Sequence, residues 1–320
     1  MIRTPLTRWF DLSTPVVGAP MAGVSGGAMA RAVSEAGGLG MIGISGRASA
    51  DFVTEQCAMP AEAQLPFGVG LMVWVLETRP DLFEATIAAQ PSLVSVSFGD
   101  PAPYVQPLHD AGIAVCTQVN SVADAARAID AGVDVLVAQG TEAGGHTGQR
   151  STWPLLAEVL TLTDRPVVAA GGIATGRAMA AALVAGAAGV WVGTALLSCP
   201  EGLNKPSARE RIRAATGDET VHTRAFDVAE GVAWPERWPG RALVNDFSRQ
   251  WHGREDELVD DEAARASVVE GRRTGNPATA PLYAGEAVGL VVTERSATDV
   301  VLELDSEAEK ALRAAAKLLA

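Results

Sequence analysis

Short apolar runs alternate with alanine-rich amphipathic stretches over the first two-thirds of this chain. From residue 16 to about residue 215, a Val/Ile/Leu run leads into a polar or glycine turn, then into a segment of helical periodicity. The runs predict strands at Val16–Ala19, Leu39–Gly43, Phe67–Met72, Leu93–Ser97, Ile113–Gln118, Asp134–Ala138, Pro166–Ala169 and Ala188–Val192. The stretches between them predict helices that include Gly27–Ala36, Arg79–Ala89, Ser121–Ala131, Thr152–Thr161 and Gly176–Ala185. Ala-Gly junctions at Ala36-Gly37, Ala111-Gly112, Ala131-Gly132 and Ala185-Gly186 are helix stops ahead of the next strand. Eight strands, each trailed by a helix, predict an α/β fold of the (β/α)8 TIM-barrel type; a doubly wound sheet usually stops near five or six.

After Leu203 the rhythm fails. Residues 216–275 are charged and carry Trp234, Trp238 and Trp251, two prolines (Pro235, Pro239) and an acidic cluster from Glu255 to Glu262. This reads as a helical accessory segment, followed by a turn-rich connector over Asn276–Gly285. Ser306–Ala320 reads as a final helix with Ser306 as N-cap. The predicted organisation is a barrel over 1–215, with a helix at 300–320 packing back on it, and an accessory, substrate-side segment over 216–299.

Composition narrows the function classes. Of 320 residues, 48% are hydrophobic and 5% aromatic, with 33 glycines, which suits close helix-on-sheet packing. A net charge of −13 argues against nucleic-acid or anionic-membrane partners. Cys57, Cys116 and Cys199 are widely spaced and odd in number, so no disulfide framework or zinc site is expected. The start of the chain lacks a long apolar run and no stretch reads as a membrane span, so a cytoplasmic protein is expected.

The chemistry concentrates after the predicted strands. Asp134 to Gly148 runs from an apolar strand into Gln139-Gly140-Thr141-Glu142-Ala143-Gly144-Gly145-His146. Gly144 and Gly145 permit close backbone approach to something flat or charged, and His146 is suited to proton transfer near neutral pH. Gly171-Gly172 and Gly193-Thr194 follow the seventh and eighth predicted strands, the usual phosphate cradle of this barrel class. No GxGxxG or GxxxxGKT motif is present, which disfavours a Rossmann or P-loop site. Ala19-Pro20-Met21 forms a small-residue bend that either lies flat against a ring or is a plain tight turn. Gln118 and Gln139 end predicted strands, with amides facing the barrel mouth. His109, His222 and His252 read as surface or satisfied histidines, and no metal site is expected. Glu142 is either a second acid or a loop anchor.

Together, Ala19-Pro20-Met21, Phe67-Gly68-Val69-Gly70, the Gln139 to His146 motif, Ala170-Gly171-Gly172-Ile173 and Gly193-Thr194 resemble the nitronate monooxygenase family. Tyr283 to Gly289 resembles that family's C-terminal segment, so the resemblance spans nearly the whole chain. It implies an FMN-dependent barrel that oxidises nitronates or nitroalkanes with O2. By resemblance, Gly171, Gly172 and Trp191-Val192-Gly193-Thr194 would hold the FMN phosphate. Ala19, Pro20, Met21, Gly70, Gln118, Gln139, Gly144 and Gly145 would lie near its ring. His146 would be the catalytic base or electrostatic partner, and Met72, Trp74, Ser97 and Phe98 would line the substrate pocket. Many related chains carry asparagine where this one has Gly70. Alternatives within the same superfamily are an NAD(P)H-dependent enoyl-ACP reductase with an acyl-carrier partner and an NAD(P)H:quinone reductase; a flavin-binding protein without activity is disfavoured by His146.

Overall fold

In a computed structural model describing residues 2–319, eight parallel strands surround a single apolar interior. They are β1 (Val16–Gly18), β2 (Gly40–Gly43), β3 (Phe67–Met72), β4 (Leu93–Ser97), β5 (Ala114–Val119), β6 (Val135–Gln139), β8 (Val167–Ala170) and β9 (Gly189–Val192). A two-residue strand, β7 (Gly145–His146), lies outside this sheet. The sheet runs β1-β9-β8-β6-β5-β4-β3-β2, and a parallel bridge between Val17 and Leu39 joins its two ends. Closure leaves no strand edge unpaired. The predicted barrel is therefore the observed fold, with strand ends shifted by at most one residue.

Alternation along each strand decides which side chains fill the barrel. Val135 and Val137 of β6, Val168 and Ala170 of β8, Trp191 of β9 and Cys116 of β5 share the interior with Val17, Leu39, Met41 and Leu93. Leu136, Ala138, Ala169, Val190 and Val192 face outward to the helices. Leu6 and Leu12 join the interior cluster from the N-terminal segment, where Thr4 and Thr7 cap the helix Pro5–Trp9 reciprocally.

The last helix differs from its prediction. It spans Ala297–Ala316, and its N-cap lies ten residues before the predicted Ser306: Ser296 accepts from the Asp299 N–H at 3.0 Å. Ala297, Val300, Val301, Leu304 and Ala308 form its buried stripe. The helix packs between helices Gly176–Val184 and Gly27–Glu35, which flank the neighbouring strands β9 and β1. It thus occupies the outer-ring position that the chain leaves open after β9.

The accessory segment is not purely helical as predicted. Two strands, β10 (Thr220–Thr223) and β11 (Gly240–Leu243), pair antiparallel, and β11 also pairs with β7. Four helices, Ala225–Glu230, Asp246–Trp251, Glu255–Leu258 and Glu262–Thr274, belong to the same segment. Phe226, Phe247, Trp251, Leu258 and Val268 give this part its own core. The β7–β11 ladder ties it directly to the loop that carries His146.

Candidate active site

Inward-facing positions at the C-terminal ends of the strands line the mouth. Gln118 shares its face with Cys116, and Gln139 shares its face with Val135 and Val137. The Ser97 hydroxyl lies 2.8 Å from that of Ser95 and accepts from the Gln118 N–H at 3.0 Å. Asn120 is the hub of a buried network. Its Nδ2 reaches the carbonyl oxygen and Oε1 of Gln139 and the Thr147 hydroxyl, and its Oδ1 accepts from the Trp238 indole N–H. The Gln139 amide is therefore partly engaged by protein, not wholly free for a heterocycle as the sequence predicts.

His146 is held from three sides. Its Nε2 lies 2.9 Å from Asp227 Oδ1, and both side chains are 8% exposed. The Tyr283 hydroxyl donates to the same Oδ1 at 3.3 Å. Burial first, and then the Asp227 charge, push the Tyr283 phenol well above its usual range, so it remains a donor. The Trp234 indole stacks on the imidazole, with ring centroids 3.5 Å apart and planes 8° apart. Beyond Trp234, the rings of Trp74 and Phe98 stand at 5.1 and 4.9 Å, and Phe98 also meets Trp238 edge-on at 5.5 Å. Phe98 adopts φ +64°, an unusual backbone for a bulky residue, of the kind that clusters at functional sites. The Trp74 indole N–H is buried without a protein partner.

A second grouping lies at the ends of β8 and β9. Gly171 and Gly172 have φ +115° and +69°, a turn that side chains resist. A Cβ at Gly193 would stand 3.4 Å from both Ala19 Cβ and Met21 Sδ, so the bend after β1 adjoins this turn. The Ala19 N–H donates to the Val192 carbonyl at 2.9 Å. Trp191 points into the barrel and Val192 outward, which leaves only their backbones for any ligand at this turn. The Gly285 N–H donates to the Thr194 hydroxyl at 3.0 Å, bringing in the C-terminal segment.

Gly144 has a reason other than the predicted one. Its Cβ would lie 2.6 Å from Gly285 N and 2.8 Å from Ala284 Cα, so its backbone makes way for the protein's own chain. At Gly145 nothing stands within 4 Å of that position. Gly70 abuts Pro20, whose Cβ and Cγ would both lie 2.4 Å from an added Cβ. Met72 is half-buried against the outer core.

Glu142 anchors its loop: both carboxylate oxygens accept from the Thr152 N–H at the start of helix Thr152–Leu160, at 3.2 Å. His109 bonds Asp134, His222 donates to the Pro239 carbonyl, and His252 stands 3.9 Å from Glu255. Burial lowers the pKa of His222. No metal-binding cluster is found among the described residues. No helix among them is long and apolar enough to cross a membrane. Asp227, Asn120 and Tyr283 escaped the residue-by-residue reading. Asp227 sits singly in a short amphipathic helix with nothing local to mark it, whereas Trp234 and Trp238 stood out as aromatics in a charged segment.

Comparison with known proteins places these features in context. The family model for nitronate monooxygenase matches residues 3–86 and 81–307. A nitronate monooxygenase of Neurospora crassa is 31% identical over 97% of this chain and 93% of its own length. A putative monooxygenase, Rv1533, of Mycobacterium tuberculosis is 34% identical over 71% of this chain, a match that spans 61% of that relative. Among solved structures, FabK from Thermotoga maritima superposes with TM-score 0.88 and 29% identity, covering 99% of this chain and all of that one. Nitroalkane oxidase from Streptomyces ansochromogenes gives TM-score 0.82 and 28% identity, covering 97% and 99%.

Proposed function

Because the chain belongs to the nitronate monooxygenase family and is an oxidoreductase, we propose that it oxidises alkyl nitronates with O2, using FMN. Two nitronate anions and one O2 balance to two carbonyl compounds and two nitrite ions. The observation that carries this reading is the placement of His146: buried, hydrogen-bonded to Asp227 and walled by Trp234.

The residues present fit FMN. Two glycine turns on adjacent strands, Gly171-Gly172 and Gly193-Thr194, offer backbone N–H groups to one terminal phosphate, and helix Gly176–Val184 starts just beyond the first. In this reading Ala19, Pro20, Met21, Gly70, Gln118, Gln139 and Gly145 would lie near the FMN ring, while Gly144 shapes the loop beside it. Bound there, FMN supplies the redox chemistry between nitronate and O2. Protonated His146 attracts the nitronate charge, and neutral His146 accepts the α-proton of a nitroalkane. Trp74, Met72, Ser97 and Phe98 line the substrate side. In this reading residues 1–215 and the last helix carry the cofactor, and 216–299 close the substrate side.

The second reading is the alternative that the sequence resemblance implies, reduction with a nicotinamide donor. One experiment separates them. The chromophore released from the purified protein is identified by mass spectrometry, and the visible spectrum is followed anaerobically after adding propionate-3-nitronate or NADPH. FMN, bleached rapidly by the nitronate, is expected. Bleaching by NADPH alone supports the second reading, and FAD or no flavin removes the basis of the first.

A further inference from the structure

Asp227 lies 81 positions beyond His146, yet its carboxylate meets the imidazole in a buried pair. From this we infer that Asp227 is a positioning residue: it fixes the proton on His146 Nε2, so that Nδ1 is the atom that takes the α-proton of a neutral nitroalkane. The inference rests on the proposed function for its substrate and on geometry for the rest.

An ionised carboxylate can only accept, so an Nε2 atom 2.9 Å from Oδ1 must be the donor. The tautomer follows from that assignment, and Nδ1 makes no hydrogen bond to any described residue. The Tyr283 hydroxyl, a second donor to the same oxygen, orients the carboxylate. Gly240, opposite His146 in the β7–β11 ladder, makes room for the pair: a Cβ there would crowd Nε2 at 3.3 Å. Trp234 holds the plane of the ring. This is the logic by which a buried aspartate fixes a catalytic histidine in hydrolase triads, where loss of the correct tautomer costs about 10⁴-fold.

The step balances simply. The substrate C–H bond breaks and an Nδ1–H bond forms, while the electron pair moves into the nitro group to give the nitronate. The positive imidazolium then stands beside the negative Asp227. The enzyme would accordingly take neutral nitroalkanes as well as preformed nitronates.

The test combines kinetics with spectroscopy on the holoenzyme. In Asp227→Asn, the amide can donate to Nε2 and move the proton to Nδ1, which then cannot act as a base. Turnover of nitroethane should fall roughly 10²–10⁴-fold, whereas ethylnitronate oxidation should change less than about tenfold, since only electrostatic positioning is lost. Nitrogen-15 NMR of histidine-labelled protein at mildly alkaline pH should show His146 as the Nε2–H tautomer in the wild type and Nδ1–H in Asp227→Asn. His146→Asn, which removes the base outright, should set the floor for nitroethane turnover. Tyr283→Phe deletes one O–H with little change of shape, should fold even if Asp227→Asn does not, and should lower nitroethane turnover selectively. An Nδ1–H tautomer in the wild type, or equal losses on the two substrates in a folded variant, overturns the inference. A wild type that oxidises neither substrate refutes the proposed function instead, and the tautomer measurement tells the two failures apart.

Discussion

Adding one carbon at Gly70 should destabilise the protein by an amount the structure sets. The Cβ of Gly70→Ala would stand 2.4 Å from both Cβ and Cγ of Pro20, far inside normal contact. A pyrrolidine ring cannot rotate out of the way, so the bend Ala19–Met21 or strand β3 must shift. Overpacking of this kind costs about 1–3 kcal/mol. With an unfolding entropy of about 2.1 cal/mol/K per residue near 60 °C, a chain of this length loses about 1.5–4.5 °C in Tm. Gly70→Asn, a larger side chain at the same position, should cost at least as much. Pro20→Gly removes both offending carbons, so the double variant should lose less than the sum of the single losses, by about 0.5 kcal/mol or more. Thermal unfolding followed by fluorescence measures the wild type and each variant, and visible absorbance reports whether the moved bend also lowers flavin content. A wild-type Tm for Gly70→Ala, or strict additivity in the cycle, would refute the steric argument.

Three further outcomes follow from the same structure. Gly172→Asp puts a carboxylate into the proposed phosphate cradle beside Glu142 Cγ, 3.4 Å from the new Cβ, and should weaken FMN binding by about tenfold or more relative to Gly172→Ala; equal affinities in a flavin titration would remove the phosphate from this turn. Burial pushes Cys57, Cys116 and Cys199 from 9.0 up to about 12, so the native protein should be inert to a thiol reagent at pH 8 and release three equivalents once unfolded. Because these thiols ionise in the unfolded chain first, stability should also fall as pH rises through 9.

The repeating rhythm of apolar run, turn and amphipathic stretch made the barrel legible, because each strand and helix carries its own periodicity. Strands Phe67–Met72 and Leu93–Ser97 were readable to the residue. The last helix was harder. Its buried positions Val300, Val301 and Leu304 precede the alanine-rich tail that drew attention. Strands β10 and β11 were hidden for a related reason: each is four residues long, in a charged segment, and completed by pairing rather than by its own pattern.

At the site, sequence alone determined the turns and the histidine. Gly171-Gly172, Gly193-Thr194 and Gly145-His146 follow strands whose ends are locally encoded, so the barrel carries them to one mouth whatever else happens. Only the tertiary structure decided what surrounds them. Asp227 reaches His146 because β11 pairs with β7 and so brings the helix between β10 and β11, which carries Asp227, over the mouth. Gly144 is glycine because residues 284–285 pass against it, and Pro20 fills the space beside Gly70 because the bend after β1 turns inward. The physical division is one of range. Periodicity and turn chemistry are properties of neighbours in the chain, whereas the partner of a buried charge is chosen by desolvation, which acts only once distant segments have packed together.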